Sequence, residues 1–444
     1  MRTIRMTVCF LPLLTFTLCA FASDQFGLLP LSSLERAELT ASDGMLGDSL
    51  GFAVAISGNT AVAGAPSAKI GSNRSQGAAY IFLKPVTGWS TTSTFAAKLT
   101  ASDGAAGDSF GQAVAISGNT VVVGAPFKNV NGVPQGEVYV FVEPSGGWTS
   151  MTETAKLNPS DATTSCSAQV YCTFGGSVAV SSNTVVAGSG GNIVGSNTAQ
   201  GALYVFVKPA SGWTNMTQTA KLTNSAGQAS DELGLSVAIS GNTLVGGAPG
   251  VSSGPGPAVG AAYVFLKPVG GWANTSTPNV QLSAKDANQY DYFGYSVAVS
   301  GAAAVVGTPQ FGNPQIGPQS PGKAYIFIAP TYTQAAELTS SDGTAGDAFG
   351  QSVAISGNTV LAGANLHAYN GGNFGPGEAY LFLKPATGWK NATQSAKLDA
   401  SNGMAGDYFG NSVSVSGHTA LVGAWGHTDS GPYQYQGAAY TFVP

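Results

Sequence analysis

Short apolar runs alternate with polar turns rich in glycine and proline along the whole chain, and the pattern repeats on a long, nearly fixed period. The unit is clearest at 99–126, LTASDGAAGDSFGQAVAISGNTVVVGAP. Its Phe-Gly step returns at Leu50-Gly51, Phe110-Gly111, Phe174-Gly175, Leu233-Gly234, Phe293-Gly294, Phe349-Gly350 and Phe409-Gly410, with successive glycines 60, 64, 59, 60, 56 and 60 residues apart. A period of this length decides the architecture before any local reading. Within a unit, GQAVAISG (111–118) is a small apolar run that ends at Gly118-Asn119, residues that accept positive φ and so favour a two-residue hairpin. TVVVGAP (120–126) is β-branched and stopped by Pro126, EVYVFVEP (137–144) alternates Tyr139 and Phe141, and TETAKLN (152–158) is polar at intervals. Each unit therefore predicts four strands joined by turns, without a helical period.

Strands apolar on both faces need cover on both faces. Seven four-stranded sheets stacked in a ring meet that need, which predicts an all-β, seven-bladed β-propeller of antiparallel blades. The small first strand suits the crowded axis, the Tyr-x-Phe third strand suits the widening wedge, and the polar fourth strand suits an outer edge. The chain stops after a third strand at 438–444, and its segment 34–39 matches only a fourth strand. The N-terminal strand is thus expected to complete the last blade.

Phe-Gly followed by Gly-Ala-Pro, intact at Phe110-Gly111 and Gly124-Ala125-Pro126, resembles the FG-GAP repeat of integrin α-chain head domains and related bacterial secreted proteins. The resemblance covers nearly all of the chain after its first residues. It implies a seven-bladed propeller used for extracellular recognition, often with bound calcium. The last two copies depart from it at Gly363-Ala364-Asn365 and Gly423-Ala424-Trp425, and the alternating Asp-x-Asp-x-Asp-Gly calcium loop of integrins occurs in no copy.

The first residues read as an export signal: Arg2 and Arg5, an apolar stretch from Val8 to Leu18, and an Ala20-Phe21-Ala22 cleavage site. The expected organisation is a signal peptide at 1–22, a leader at 23–34 and one propeller at 35–444, in a secreted or periplasmic protein without a membrane span. A net charge of −5 with no arginine after Arg74 argues against nucleic-acid binding, which needs clustered cations. Cys9 and Cys19 lie within the signal, and the remaining pair, Cys166 and Cys172, predicts a local disulfide outside the cytoplasm.

Candidate chemistry falls on the face that carries the connections between blades and the long loops at 67–77, 127–136, 189–201, 250–260, 310–322, 365–377 and 425–437. Two aspartates recur in the connections: Asp48, Asp108, Asp231, Asp291, Asp347 and Asp407 just before the Phe-Gly or Leu-Gly step, with Asp43, Asp103, Asp286 and Asp342 five residues earlier. Each either accepts hydrogen bonds from its own turn or contributes an oxygen to a calcium ion. The loops of the last two blades offer His367, Tyr369, Asn370 and Phe374, and Trp425, His427, Asp429, Tyr433 and Tyr435. These residues suit an aromatic, polar patch for a protein or a glycan, or rings packed down onto the propeller. His367, His427 and Asp429 form the one arrangement that suits acid–base or zinc chemistry, and no other catalytic motif appears. The expectation is a non-catalytic binding protein for an extracellular protein or cell-surface ligand, calcium-assisted or not, with a lectin-like propeller as the alternative. Trp89, Trp148, Trp213, Trp272 and Trp389 repeat once per blade and read as scaffold.

Overall fold

The computed structural model describes residues 35–162, 166, 172–252, 254, 256–312, 317, 318, 320–368, 375–428 and 435–443. The expected signal peptide and leader lie outside the described residues. Seven antiparallel sheets follow one another, with first strands Ala53–Ser57, Ala113–Ser117, Ser177–Ser181, Ser236–Ser240, Ser296–Ser300, Ser352–Ser356 and Ser412–Ser416. They are blades one to seven. The second and fifth sheets gain a short parallel strand from the next blade, Met216–Thr217 and Ala392–Thr393, which covers the outer edge. Among the described residues no helix is long and apolar enough to cross a membrane.

The repeated glycines have a steric cause. Gly124 of blade two lies so close to blade three that an added Cβ would stand 1.9 Å from the Gly175 carbonyl oxygen. The same contact joins Gly64 to Gly111, Gly188 to Gly234, Gly247 to Gly294, Gly307 to Gly350, Gly363 to Gly410 and Gly423 to Gly51, at 1.9–2.0 Å. The glycine that ends each second strand's apolar run thus touches the glycine of the next blade's Phe-Gly or Leu-Gly step. Gly111 also needs its conformation, since its φ is +96°. Phe110, fully buried, packs edge-on against Tyr139 at 5.3 Å and Phe141 at 5.9 Å. Blade one has Leu50 instead, and there Tyr80 meets Phe95 at 5.0 Å. Trp89, Trp148, Trp213 and Trp272 are buried in the cores between sheets, and Trp389 packs against the core of blades five and six.

Around the axis the hairpins form a closed circle. Ser57, Ser117, Ser181, Ser240, Ser300, Ser356 and Ser416 each accept the hairpin N–H of the following blade at 3.0–3.3 Å. Between the first strands runs an axial channel of 320 Å³. At its loop-face mouth stand Phe52, Gln112, Gly176, Leu235, Tyr295, Gln351 and Asn411.

The ring closes as expected. Glu35–Leu39 pairs antiparallel with Ala438–Phe442, Leu39 opposite Ala439. The Glu38 carboxylate lies 3.2 Å from Nε2 of His427, whose Nδ1 lies 2.9 Å from Asp407. Burial alone would push the His427 pKa down, but hydrogen bonds to Asp407 and Glu38 outweigh it and push it up to about 10. Glu38 is drawn above its usual value by burial and further below it by His427, so its carboxyl is held low.

Two predictions follow from this closure and from the glycine contacts. Gly118→Ala has open space and only a left-handed φ to tolerate, a cost of roughly 1–2 kcal/mol. Gly124→Ala must push two blades apart, and its melting temperature should fall well below that of Gly118→Ala; the reverse order would refute the contact. His427 stabilises the closed ring fully below its unfolded pKa of about 6.5 and loses that contribution as pH rises through about 10. Glu38 contributes above its unfolded pKa and loses this in acid. Melting temperature should therefore fall more from pH 7 to 10 in the wild type than in His427→Gln, with the two curves converging above pH 10.

Candidate functional site

The connections between blades are held by their own acids. The second aspartate of each accepts the N–H three residues before it: Asp48 from Met45 at 2.9 Å, Asp108 from Ala105 at 2.7 Å, Asp291 from Asn288 at 2.7 Å, Asp347 from Thr344 at 2.7 Å and Asp407 from Met404 at 2.9 Å. All five are buried. Burial raises the pKa of Asp48 and Asp291. The first aspartate meets a tyrosine of the third strand and a lysine. Asp103 accepts from Tyr139 at 3.1 Å and from Lys156 at 2.8 Å. Asp286 accepts from Tyr325 at 2.9 Å and Lys323 at 2.5 Å, Asp342 from Tyr380 at 3.2 Å and from Lys397, and Asp43 from Lys98 at 2.7 Å. Burial raises Asp103, but Lys156 and Lys128 outweigh it and hold its carboxyl below the usual range. One oxygen of each of these second aspartates thus goes to a turn amide, and each first aspartate has a lysine ammonium on it.

Asp161 fills this role in blade three, with Tyr204 at 3.0 Å and Lys221 at 2.5 Å. The sequence reading passed over it, although it follows a serine after the fourth strand as Asp43, Asp103 and Asp342 do. The expected disulfide is present: Cys166 is bonded to Cys172, with their Cα atoms 5.2 Å apart. Cys172 stands two residues before Phe174, where the other copies place the second aspartate.

The two loop histidines named as candidates do not face solvent. His367 is 4 % and His427 3 % exposed. Each lies inside its own blade: His367 Nδ1 2.8 Å from Asp347 and Nε2 3.2 Å from Glu378, His427 between Asp407 and Glu38. Their role is to tie loop to blade, not to present a surface. A third loop residue behaves alike. Lys128, buried at the equivalent position of blade two, reaches Asp108 at 3.0 Å beside buried Glu137. Lys128, Glu137 and Glu378 escaped the sequence reading, and the usable signal was spacing: Lys128, His367 and His427 each stand twenty residues after the second aspartate.

Aromatic side chains gather at the mouth of the channel. Trp425 stacks on Tyr408 at 4.5 Å with 6° between planes, and meets Tyr435 at 5.2 Å and Phe52 at 6.2 Å. It is half-buried between Tyr408 and Tyr435. Asn411 joins the neighbouring blades by donating to the Phe52 carbonyl at 3.0 Å and accepting from Gln351 at 3.3 Å. Across the mouth, Phe311 packs against Tyr295 at 5.1 Å and Tyr292 at 5.9 Å, and Leu235 stands exposed beside them. The sequence reading found Trp425 and Tyr435 but not the blade-five group. Tyr369, Asn370, Phe374, Asp429 and Tyr433 lie outside the described residues.

The FG-GAP repeat family matches residues 34–82, 94–141, 216–265, 277–327, 332–382 and 392–442, more than half of the chain. The unmatched third copy carries the disulfide. No curated protein matches the chain. Among solved structures it is similar to the WD40 beta propeller domain of Doa1, at 8% identity and a TM-score of 0.48, over 92% of this chain and 96% of that one. The matched segments and the touching glycines place this chain in the FG-GAP repeat family.

Proposed function

We propose that the protein is an exported, non-catalytic binding propeller that recognises an extracellular protein or cell-surface ligand through the rim of its loop face. One observation carries the reading: besides Met45 and Leu46 of the first connection, this face exposes Phe127, Leu235 and Phe311, whereas the exposed apolar side chains elsewhere repeat at equivalent scaffold positions. Leu83, Leu266 and Leu383 occupy equivalent strand ends, and Val86 and Val269 equivalent turns. Repetition marks them as parts of the scaffold. Phe127, Leu235 and Phe311 are 43 %, 38 % and 37 % exposed; neither phenylalanine recurs at its position around the ring, and Leu235 shares its place at the channel mouth with Phe52 and Tyr295. Aromatic anchors beside a polar rim are the surface type that dominates protein recognition.

The blade-five group, Tyr292, Tyr295, Phe311 with Leu235, is the proposed anchor, and the Trp425 group is its second flank. Trp425 has a tyrosine on each side, which supports a rigid protein contact more than the open ring face that a sugar needs to stack on. Calcium assistance is not required by this reading, because lysines already sit on the first aspartates of the loops and turn amides on the second.

The test is capture of proteins from the extracellular or surface fraction by the immobilised, purified chain, with a glycan array run in parallel. Leu235→Ser with Phe311→Ser should lower capture at least tenfold, the effect of losing one or two hot-spot side chains. Val86→Ser with Val269→Ser, on the opposite side, should leave it unchanged. Equal capture by both double variants would overturn the proposed rim, and binding confined to the glycan array would establish the lectin alternative. Millimolar Ca²⁺ added to chelator-treated protein should change neither melting temperature nor capture; a clear rise in either would assign calcium a role.

A further inference from the structure

Blade six carries a histidine among three carboxylates, at the position where its sister blade two carries a lysine ammonium. In blade two the group consists of Asp103, Asp108 and Glu137, with Lys128 seated on the two aspartates, Tyr139 and Asn158 on Glu137, and Lys156 at the edge. Blade six keeps all three acids, as Asp342, Asp347 and Glu378, and keeps the edge lysine, as Lys397. The central ammonium is replaced by the imidazole of His367. Blade seven also has a histidine there and keeps Asp407, but Asn402 stands for Asp342 and Ala438 for Glu378, and the one acid on Nε2 is Glu38 of the closing strand. Blade six therefore retains a pocket built around a positive charge and replaces its fixed ammonium with a metal-ligating ring.

The donor atoms have the spacing of a small metal ion. His367 Nε2 is 3.2 Å from Glu378 Oε2 and 3.9 Å from Asp342 Oδ2, and the three donor atoms lie within 4.8 Å of one another. A tetrahedral ion with ligands at 2.0–2.2 Å sets its donors about 3.3–3.6 Å apart. The second ring nitrogen is oriented as such sites require: Nδ1 meets the Asp347 carboxylate at 2.8 Å, and Asp347 is itself fixed by the Thr344 N–H and hydroxyl. His367 and Glu378 are buried, while the Asp342 side chain is 33 % exposed and gives an entry path.

We propose that Asp342, His367 and Glu378 bind a divalent first-row transition ion, with Asp347 as the positioning residue for the histidine. One imidazole with two carboxylates suits zinc-class ions better than calcium, which prefers an all-oxygen shell of six to eight ligands. Lys397, now on Asp342, is a partly exposed and flexible competitor that turns outward when the ion enters.

The experiment is calorimetric titration of tag-free, chelator-stripped protein with ZnCl₂, with a parallel Co²⁺ titration read by visible absorption. The wild type should bind one ion per chain and melt higher with zinc than without. His367→Lys restores the blade-two ammonium, so it should remain folded and lose the binding. Asp347→Asn should weaken binding roughly 10–100-fold while keeping one site per chain. Lys397→Ala should tighten it roughly tenfold, since a like charge leaves the site. Absence of a zinc heat in both the wild type and Lys397→Ala, or wild-type affinity in a folded His367→Lys, would overturn the proposal.

Discussion

Glycine backbone of one blade lies in contact with glycine backbone of the next, and the spacing of the whole ring depends on that contact. With less than 2.1 Å between each hypothetical Cβ and the facing carbonyl oxygen, no other residue fits at the inner seam. Sheets brought so close near the axis must diverge outward, because each is flat on the scale of a wedge. The gap then has to be filled with volume that increases with radius. Alanine and valine fill it at the first and second strands, Tyr-x-Phe at the third and tryptophan beyond. Interiors tolerate few voids, so this gradient follows from the glycine contact.

The polar residues follow the same geometry at the loop end of each blade. The third-strand tyrosine runs outward between sheets and brings its hydroxyl to the connection that enters its own blade. There it meets the first aspartate, and in Asp103, Asp286 and Asp342 a lysine completes the group. Only 9% of the residues are charged. Many of these are gathered into such groups, so the charges hold connections to blades. Buried ion pairs add little net stability because desolvation offsets their attraction. Their effect is to make each connection adopt one position, which is what a recognition surface on loops requires.

The sequence made the repeat, the seven blades, the strand that closes the ring, the scaffold tryptophans and the disulfide legible, because each rests on spacing or on paired residue types. The histidines were different. His367 and His427 stand in loops of variable length, and a loop histidine looks the same in sequence whether it faces solvent or a buried carboxylate. What decides is the register to an aspartate in a different segment, and that becomes visible only when the copies are laid beside one another. Asp161 was hidden for a related reason: the cysteine pair lengthens its connection, so the usual Asp-Gly spacing fails. Phe311 and Tyr295 were hidden because they do not repeat, and a method that looks for recurrence passes over them.

That register also identifies a position at which the blades differ electrostatically. Twenty residues after the second aspartate, the copies carry Ala68, Lys128, Val251, His367 and His427, with Gln310 one residue earlier in blade five. The aspartates respond to what they face. Burial raises Asp48 and Asp231, whose counterparts are Ala68 and Val251, and the uncharged Gln310 leaves Asp291 raised as well. Burial raises Asp347 too, but the bond to His367 reverses the shift and holds it low. A single side chain thus sets whether a blade's loop anchor is a neutral turn, a fixed ammonium or a ring able to accept a cation. The surrounding tyrosine, turn amides and glycine seam stay nearly the same from blade to blade. Such a position can change its chemistry without disturbing the ring, because the groups that space the blades lie elsewhere.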